Sequence, residues 1–193
     1  MSRASWSLSS PSAVVDACVA QSAGETDHPY SAEARTVLLD LSKCRIYVLF
    51  SESVKDEWAR HGSKLSIRWL AAMVSRGLAV KVRDKASTHL RKTIKLVLPD
   101  PYDVLALLKD VHLLELALAY GSGVISSDER SGTLAAQVSA THRPLARVQW
   151  VSPHRPKGAC RAWIAGGLSD AEIGRLGASA PRRPIRKAAR RMG

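Results

Sequence analysis

At 193 residues, with 46% apolar and 24% charged side chains, the chain has the balance of a globular protein and the length of one domain with an appendage, which excludes disordered and fibrous classes. No run approaches the roughly 20 apolar residues that a membrane-spanning helix needs, and the opening MSRASWSLSSPSAVV holds only a short, interrupted apolar stretch, so a soluble, cytoplasmic protein with no membrane partner is expected. A formal charge of +12 exceeds what solubility asks for and points to a polyanionic partner.

Ser12 to Asp16 (SAVVD) is a short apolar run ending in an acid, read as a strand and followed by a polar, Gly-containing loop. Ser31 to Lys43 has helical character, and Ile46 to Phe50 (IYVLF) is a second strand. Glu52 to His61 and Lys64 to Ser75 have helical spacing and are split by Gly62, while Leu78 to Arg83 alternates as a half-buried strand does. Ala86 to Leu98 fits neither period. Beyond the break at Pro99 and Pro101 comes the longest and most apolar helix, Val104 to Tyr120, which stops before Gly121 and Gly123. Val124 to Ser127 and Ala146 to Val151 are the last strands. Strands alternating with helices predict an α/β fold, with a mainly parallel sheet covered on both faces and a site outside the carboxyl ends of the strands.

After Pro153 the composition shifts to Pro, Gly, Ala and Arg, which places a domain boundary near residue 152: a body over 12–152 and a flexible extension over 153–193. Only Ser169 to Leu176 reads as ordered there, with Ser169 and Glu172 as a capping-box pair. From residue 151 onward ten Lys and Arg stand against Asp170 and Glu172, so this part carries +8 and the first 150 residues only +4. Pro181 and Pro184 would interrupt a recognition helix. An arm that holds phosphates through Arg182, Arg183, Arg186, Lys187, Arg190 and Arg191 is the better reading.

The carboxyl ends of the strands single out acids. Asp16 and Asp128 each follow an apolar run, although strand-ending aspartates also serve as caps and turn formers. Asp110 has Ala106, Leu107, Leu113, Leu114 and Ala117 as its neighbours at three, four and seven residues, which puts a carboxylate on an apolar face, where it costs several kcal/mol unless a cation or a donor meets it. On the helix SESVKDEWARH, at about 100° per residue, Glu57 falls roughly 60° from the inward Val54 and Asp56 about 160° away, so Glu57 faces inward. Cys18, Cys44 and Cys160 are far apart with no C-x-x-C pair and are expected to be free thiols. His28, His61, His89, His112, His142 and His154 form no i, i+4 pair and read as surface or core residues. Neither a phosphate-binding loop nor a nucleophile elbow is present.

The segment AVVDACVAQSA resembles the opening of PIN-domain nucleases, a hydrophobic strand ending in an aspartate followed by small residues. DVHLLELALAYGSGVISSDER is similar to their closing segment: a helix-borne Asp, an alanine-rich helix, a Gly-containing turn, a strand, and Ser or Thr just before a final Asp. The resemblance covers about residues 12 to 152. It implies a three-layer α/β/α sandwich in which Asp16, Glu57, Asp110 and Asp128 are the four catalytic acids, with Asp16, Asp110 and Asp128 holding Mg²⁺ or Mn²⁺. Ser127 and Arg130 then lie beside the substrate. The implied activity is endoribonuclease hydrolysis of RNA to 5′-phosphate and 3′-hydroxyl products, and the VapC-type toxins in this family bring an antitoxin protein and a homodimer into consideration as partners. Residues 153–193 match nothing in such compact toxins. Were the acids merely structural, the alternative is a non-catalytic nucleic-acid-binding protein that works through its basic tail.

Overall fold

The computed structural model describes residues 7, 9–170 and 172–179. Five strands, β1 (Ser12–Val15), β2 (Tyr47–Phe50), β3 (Ala79–Lys81), β4 (Gly123–Ile125) and β5 (Trp150–Val151), form one all-parallel sheet in the order β3-β2-β1-β4-β5. Ser12 pairs with Tyr47 and Ala13 with Gly123. The helices α1 (Ala17–Ser22), α2 (Pro29–Lys43), α3 (Glu52–His61), α4 (Lys64–Ser75), α5 (Thr88–Val97), α6 (Pro101–Tyr120) and α7 (Glu129–Ser139) provide the crossovers, with a 3-10 turn at Arg143–Arg147 before β5. The fold is thus α/β, as expected, and β1, β2 and β4 are buried at every residue, as strands covered on both faces must be. The chain leaves β1 toward β2 and β3, then crosses back to add β4 and β5. Connections therefore diverge between β1 and β4, which opens a crevice beyond their carboxyl ends.

Local chemistry sets the helix limits. Ser51, Ser63 and Ser87 cap α3, α4 and α5 through hydroxyls that accept from Val54, Ser66 and Leu90 N–H. Asp100 and Pro101 start α6, and Gly121 ends it at φ 63°, a left-handed conformation suited to glycine. Residues 86–98, ambiguous by period, resolve as α5 because Leu90 and Ile94 bury together and Arg91 makes a two-pronged pair with the buried Glu115, both contacts at 2.8 Å. Two helices had no clear signal. Read as a loop, residues 17–22 are instead the short α1. The other, α7, buries mostly small residues, Ser131, Gly132, Ala135, Ala136 and Ser139, with only Leu134 and Val138 as larger apolar ones, so its apolar stripe is narrow. Gly132 is small for a reason: a Cβ there would lie 2.7 Å from Cδ1 of Trp150.

Packing does not stop at residue 152. Helix α8 (Ala159–Ala165) buries Cys160, Trp163 and Ile164 in the same core as the sheet. Further on, Gln149 and Arg175 form an antiparallel bridge, and the last described turn, α9 (Leu176–Ser179), buries Leu176 against the body. Gly123 admits Trp163, since a Cβ there would sit 2.5 Å from the ring. Cys160, Trp163, Ile164 and Leu176, all from the segment expected to be a flexible extension, are thus core residues, and a seven-residue helix with three buried side chains is too short to show a period. Ser169 and Glu172 form no capping box: the Ser169 hydroxyl donates to Gly166 O, and Glu172 pairs with Arg175. Arg182, Arg183, Arg186, Lys187, Arg190 and Arg191 lie outside the described residues. The three cysteines are free, Cys160 buried and Cys44 exposed. Among the described residues, no helix is long and apolar enough to cross a membrane.

Candidate active site

Three of the four acids predicted from the sequence, Asp16, Asp110 and Asp128, meet at the crevice between β1 and β4. Asp16 leaves β1, bonds Ile125 O through its own N–H at 2.9 Å, and caps α1 by accepting from Cys18 N. Its other oxygen accepts from the Ser126 hydroxyl at 2.6 Å and from the Cys18 thiol at 3.0 Å. The Ser126 oxygen in turn accepts from Asp128 N–H. Asp128 caps α7 by accepting from Ser131 N at 2.8 Å, and the Ser131 hydroxyl donates to Asp110 at 2.7 Å. Ser126 and Ser131 are thus the links of a chain that runs from Asp16 through Asp128 to Asp110. Sequence reading passed over both serines and took Cys18 only as a free thiol, and a serine two residues before or three after a helix-capping Asp is the signal that was there to be used.

The charges in this cluster oppose one another. Burial raises the Asp110 pKa from its ordinary value, and the neighbouring Asp16 and Asp128 raise it further, against the Ser131 hydrogen bond and Lys109. The Lys109 ammonium is 3.9 Å from the second Asp110 oxygen, too far for a hydrogen bond. Burial, with the Asp16 charge behind it, also pushes the Cys18 thiol up to about 12, so it stays a thiol and a donor.

A carboxyl whose folded pKa is raised stabilises the fold in its protonated form. That contribution is complete below the unfolded pKa and is lost as pH rises through the folded one. Asp110→Asn should therefore raise the metal-free melting temperature at pH 7 and leave it unchanged at pH 3, measured by calorimetry in EDTA. A neutral-pH melting temperature lower than that of the parent protein would show that the Asp110 charge is well compensated.

Glu57, the fourth acid, is half-buried on α3 while Asp56 is exposed, as the helix phase requires. It is not part of the serine chain. Its Oε2 lies 3.4 Å from Nε2 of His112, a nitrogen with no hydrogen-bond partner, and His112 is two residues along α6 from Asp110. Glu52 is instead engaged at the surface by Lys55 and Lys81. If Glu57 serves the site, Glu57→Gln should lower cleavage at least about tenfold, as the loss of a group supporting a metal site typically does, whereas Asp56→Asn and Glu52→Gln should leave rates within about twofold. Equal losses at Asp56 and Glu57 would disprove that assignment.

Ser127 flanks the cluster on the other side. Its N–H donates to the Cys18 sulfur, and its hydroxyl is 3.2 Å from Nε2 of His154, whose ring stacks on Tyr30 at a centroid distance of 3.4 Å. Burial holds the His154 pKa below the usual histidine value, so the ring is neutral at pH 7. His112 and His154, both set aside as ordinary core or surface residues, therefore border the crevice. Arg130 is turned to Asp103, at 2.7 Å.

In donor type the cluster suits a hard divalent cation, which takes carboxylate and hydroxyl oxygens. Disposition is another matter. As the side chains stand, no three His, Cys, Asp or Glu among the described residues are arranged around a common point, because Asp16 and Asp110 are turned onto Ser126 and Ser131. No protein-family model matches the chain, and no curated protein matches it.

Proposed function

We propose that this chain is a metal-dependent endoribonuclease of the PIN-domain class, acting in the cytoplasm. The observation that carries the reading is the gathering of Asp16, Asp110 and Asp128 at the β1/β4 crevice, close enough that Asp16 and Asp128 both raise the Asp110 pKa. A protein keeps mutually repelling buried carboxylates at some cost, and a cation drawn to that charge accounts for them together.

In this reading Asp16, Asp110 and Asp128 hold Mg²⁺ or Mn²⁺. When bound, such an ion supplies positive charge opposite the non-bridging oxygens of a phosphodiester. The remaining work belongs to the chain. Ser126 and Ser131 fix the rotamers of Asp16 and Asp110 and can release them, Glu57 from α3 and Lys109 from α6 flank the approach, and Ser127 presents a hydroxyl at the edge of the crevice. The excess of positive charge brings an RNA backbone to the surface.

A second reading has its own observation: Asp16 and Asp128 are both helix caps, a structural role that asks for no metal. The chain would then bind nucleic acid without cutting it. Incubating the full chain with RNA, single-stranded DNA and duplex DNA in Mg²⁺, Mn²⁺ or EDTA separates the two. Cleavage of RNA in metal alone, leaving 5′-phosphates, is expected. Binding that is equal in metal and EDTA, with intact RNA throughout, would favour the non-catalytic protein.

A further inference from the structure

At the opposite end of the sheet from the acids, a cavity of about 810 Å³ opens beside Ser12 and Gly123, the first residues of β1 and β4. This is the size range of small-molecule sites. Its two charged lining residues are Arg143 and Arg147, from the 3-10 turn, and no acid lines it among the described residues. Neither arginine makes an ion pair within the described structure.

Two further polar groups belong to residues of the wall. The Ser122 hydroxyl and the Trp163 indole N–H have no hydrogen-bond partner, on residues only 8% and 1% exposed. Both atoms are themselves shielded from solvent, so they sit just behind the cavity surface rather than on it; orphaned buried polar groups of this kind are few in folded proteins. The α6 carboxyl pole adjoins the cavity, but its Ala117 carbonyl already accepts from the N–H groups of Gly121 and Ser122, which spares an incoming anion that oxygen. Leu118, Val148 and Leu168 give the wall an apolar part, beside Ser9, Ser10, Ser12 and Gln149.

We propose that this cavity binds a small organic phosphate about the size of a nucleoside monophosphate, held at its phosphate by Arg143 and Arg147. Two guanidinium forks match the several oxygens of a phosphate, whereas one fork already satisfies a carboxylate. The apolar part of the wall takes the organic body, and the volume is more than inorganic phosphate fills. The site is independent of the acid cluster, and no step of RNA cleavage depends on it.

The test is calorimetric titration of the full chain, in EDTA, with adenosine monophosphate, inorganic phosphate and a 5′-phosphorylated oligonucleotide. Both arginines are exposed, so Arg143→Gln/Arg147→Gln should fold normally, and Lys43→Gln/Arg76→Gln removes the same charge elsewhere. Saturable binding of the monophosphate, weakened about tenfold or more by the first pair as expected for lost charge-assisted hydrogen bonds and unchanged by the second, supports the proposal. In the unaltered protein, the Trp163 indole N–H resonance, assigned by its loss in Trp163→Phe, should shift along the same titration. Equal losses in both double variants, no saturable binding of the monophosphate, or a Trp163 resonance that does not move would overturn the proposal. Capture of the oligonucleotide alone would overturn it in favour of a nucleic-acid end as the occupant.

Discussion

Asp16→Asn and Asp128→Asn should each reduce RNA cleavage at saturating substrate by at least about a hundredfold, the scale on which metal sites respond to the loss of supporting groups, while the fold survives. The separation of the two effects follows from the geometry. Asn keeps an oxygen that can accept from Cys18 N or from Ser131 N, so the caps of α1 and α7 persist and stability changes by about 1 kcal/mol or less. What disappears is the charge. At position 16 the amide also presents an N–H toward the Ser126 hydroxyl, which now donates to Asp16 at 2.6 Å and accepts from Asp128 N–H. Ser126 must then reverse its donation, and the disturbance passes along the chain to Asp128. Single-turnover rates with Mg²⁺, beside melting temperatures for the same preparations, make the measurement. Parental rates in either variant would remove the acid cluster from the chemistry and leave the capping roles as the whole explanation.

The order of elements was legible because apolar runs and caps are local. α3 and α4 begin and end where the spacing and Gly62 put them, and the phase of α3 placed Glu57 half inward and Asp56 outward. α6 begins three residues earlier than its apolar spacing suggests, since Asp100 and Pro101 start it through capping and a fixed φ rather than through hydrophobicity. Of the site, the acids were readable and their connections were not. Asp16, Asp110 and Asp128 stand at strand ends or on an apolar face, features that composition records. Ser126 and Ser131 matter only because β4 lies beside β1 and α7 returns over α6, and that adjacency is a property of topology. His154, three residues beyond β5, reaches Ser127 for the same reason. α7 gave little signal because its close approach to Trp150 demands Gly132 and most of its other buried residues are Ser and Ala, which carry little hydrophobic pattern.

Cutting the chain after Pro153 should abolish folding, against the expectation of a detachable tail. The cut removes Cys160, Trp163, Ile164 and Leu176, all at most 3% exposed, together with the Gln149–Arg175 bridge and the bond from Trp150 N to Gly174 O at 2.8 Å. The loss of Trp163 alone costs about 3–5 kcal/mol as an alanine substitution, a large share of the roughly 5–15 kcal/mol that holds a domain together. It also opens a void against Gly123, which has no side chain to fill it, and bares the apolar flank of β4 and β5. The truncated protein should therefore be insoluble, or lack a cooperative melt where the full chain has one. Trp163→Ala should lower the melting temperature steeply, and Trp163→Phe should recover much of the difference, because the ring is the main occupant of the space and its N–H has no partner to lose. A cut after Ser179 keeps every one of these contacts and serves as the control. A soluble, cooperatively melting protein ending at Pro153 would mean that α8 and α9 rest on the body without stabilising it.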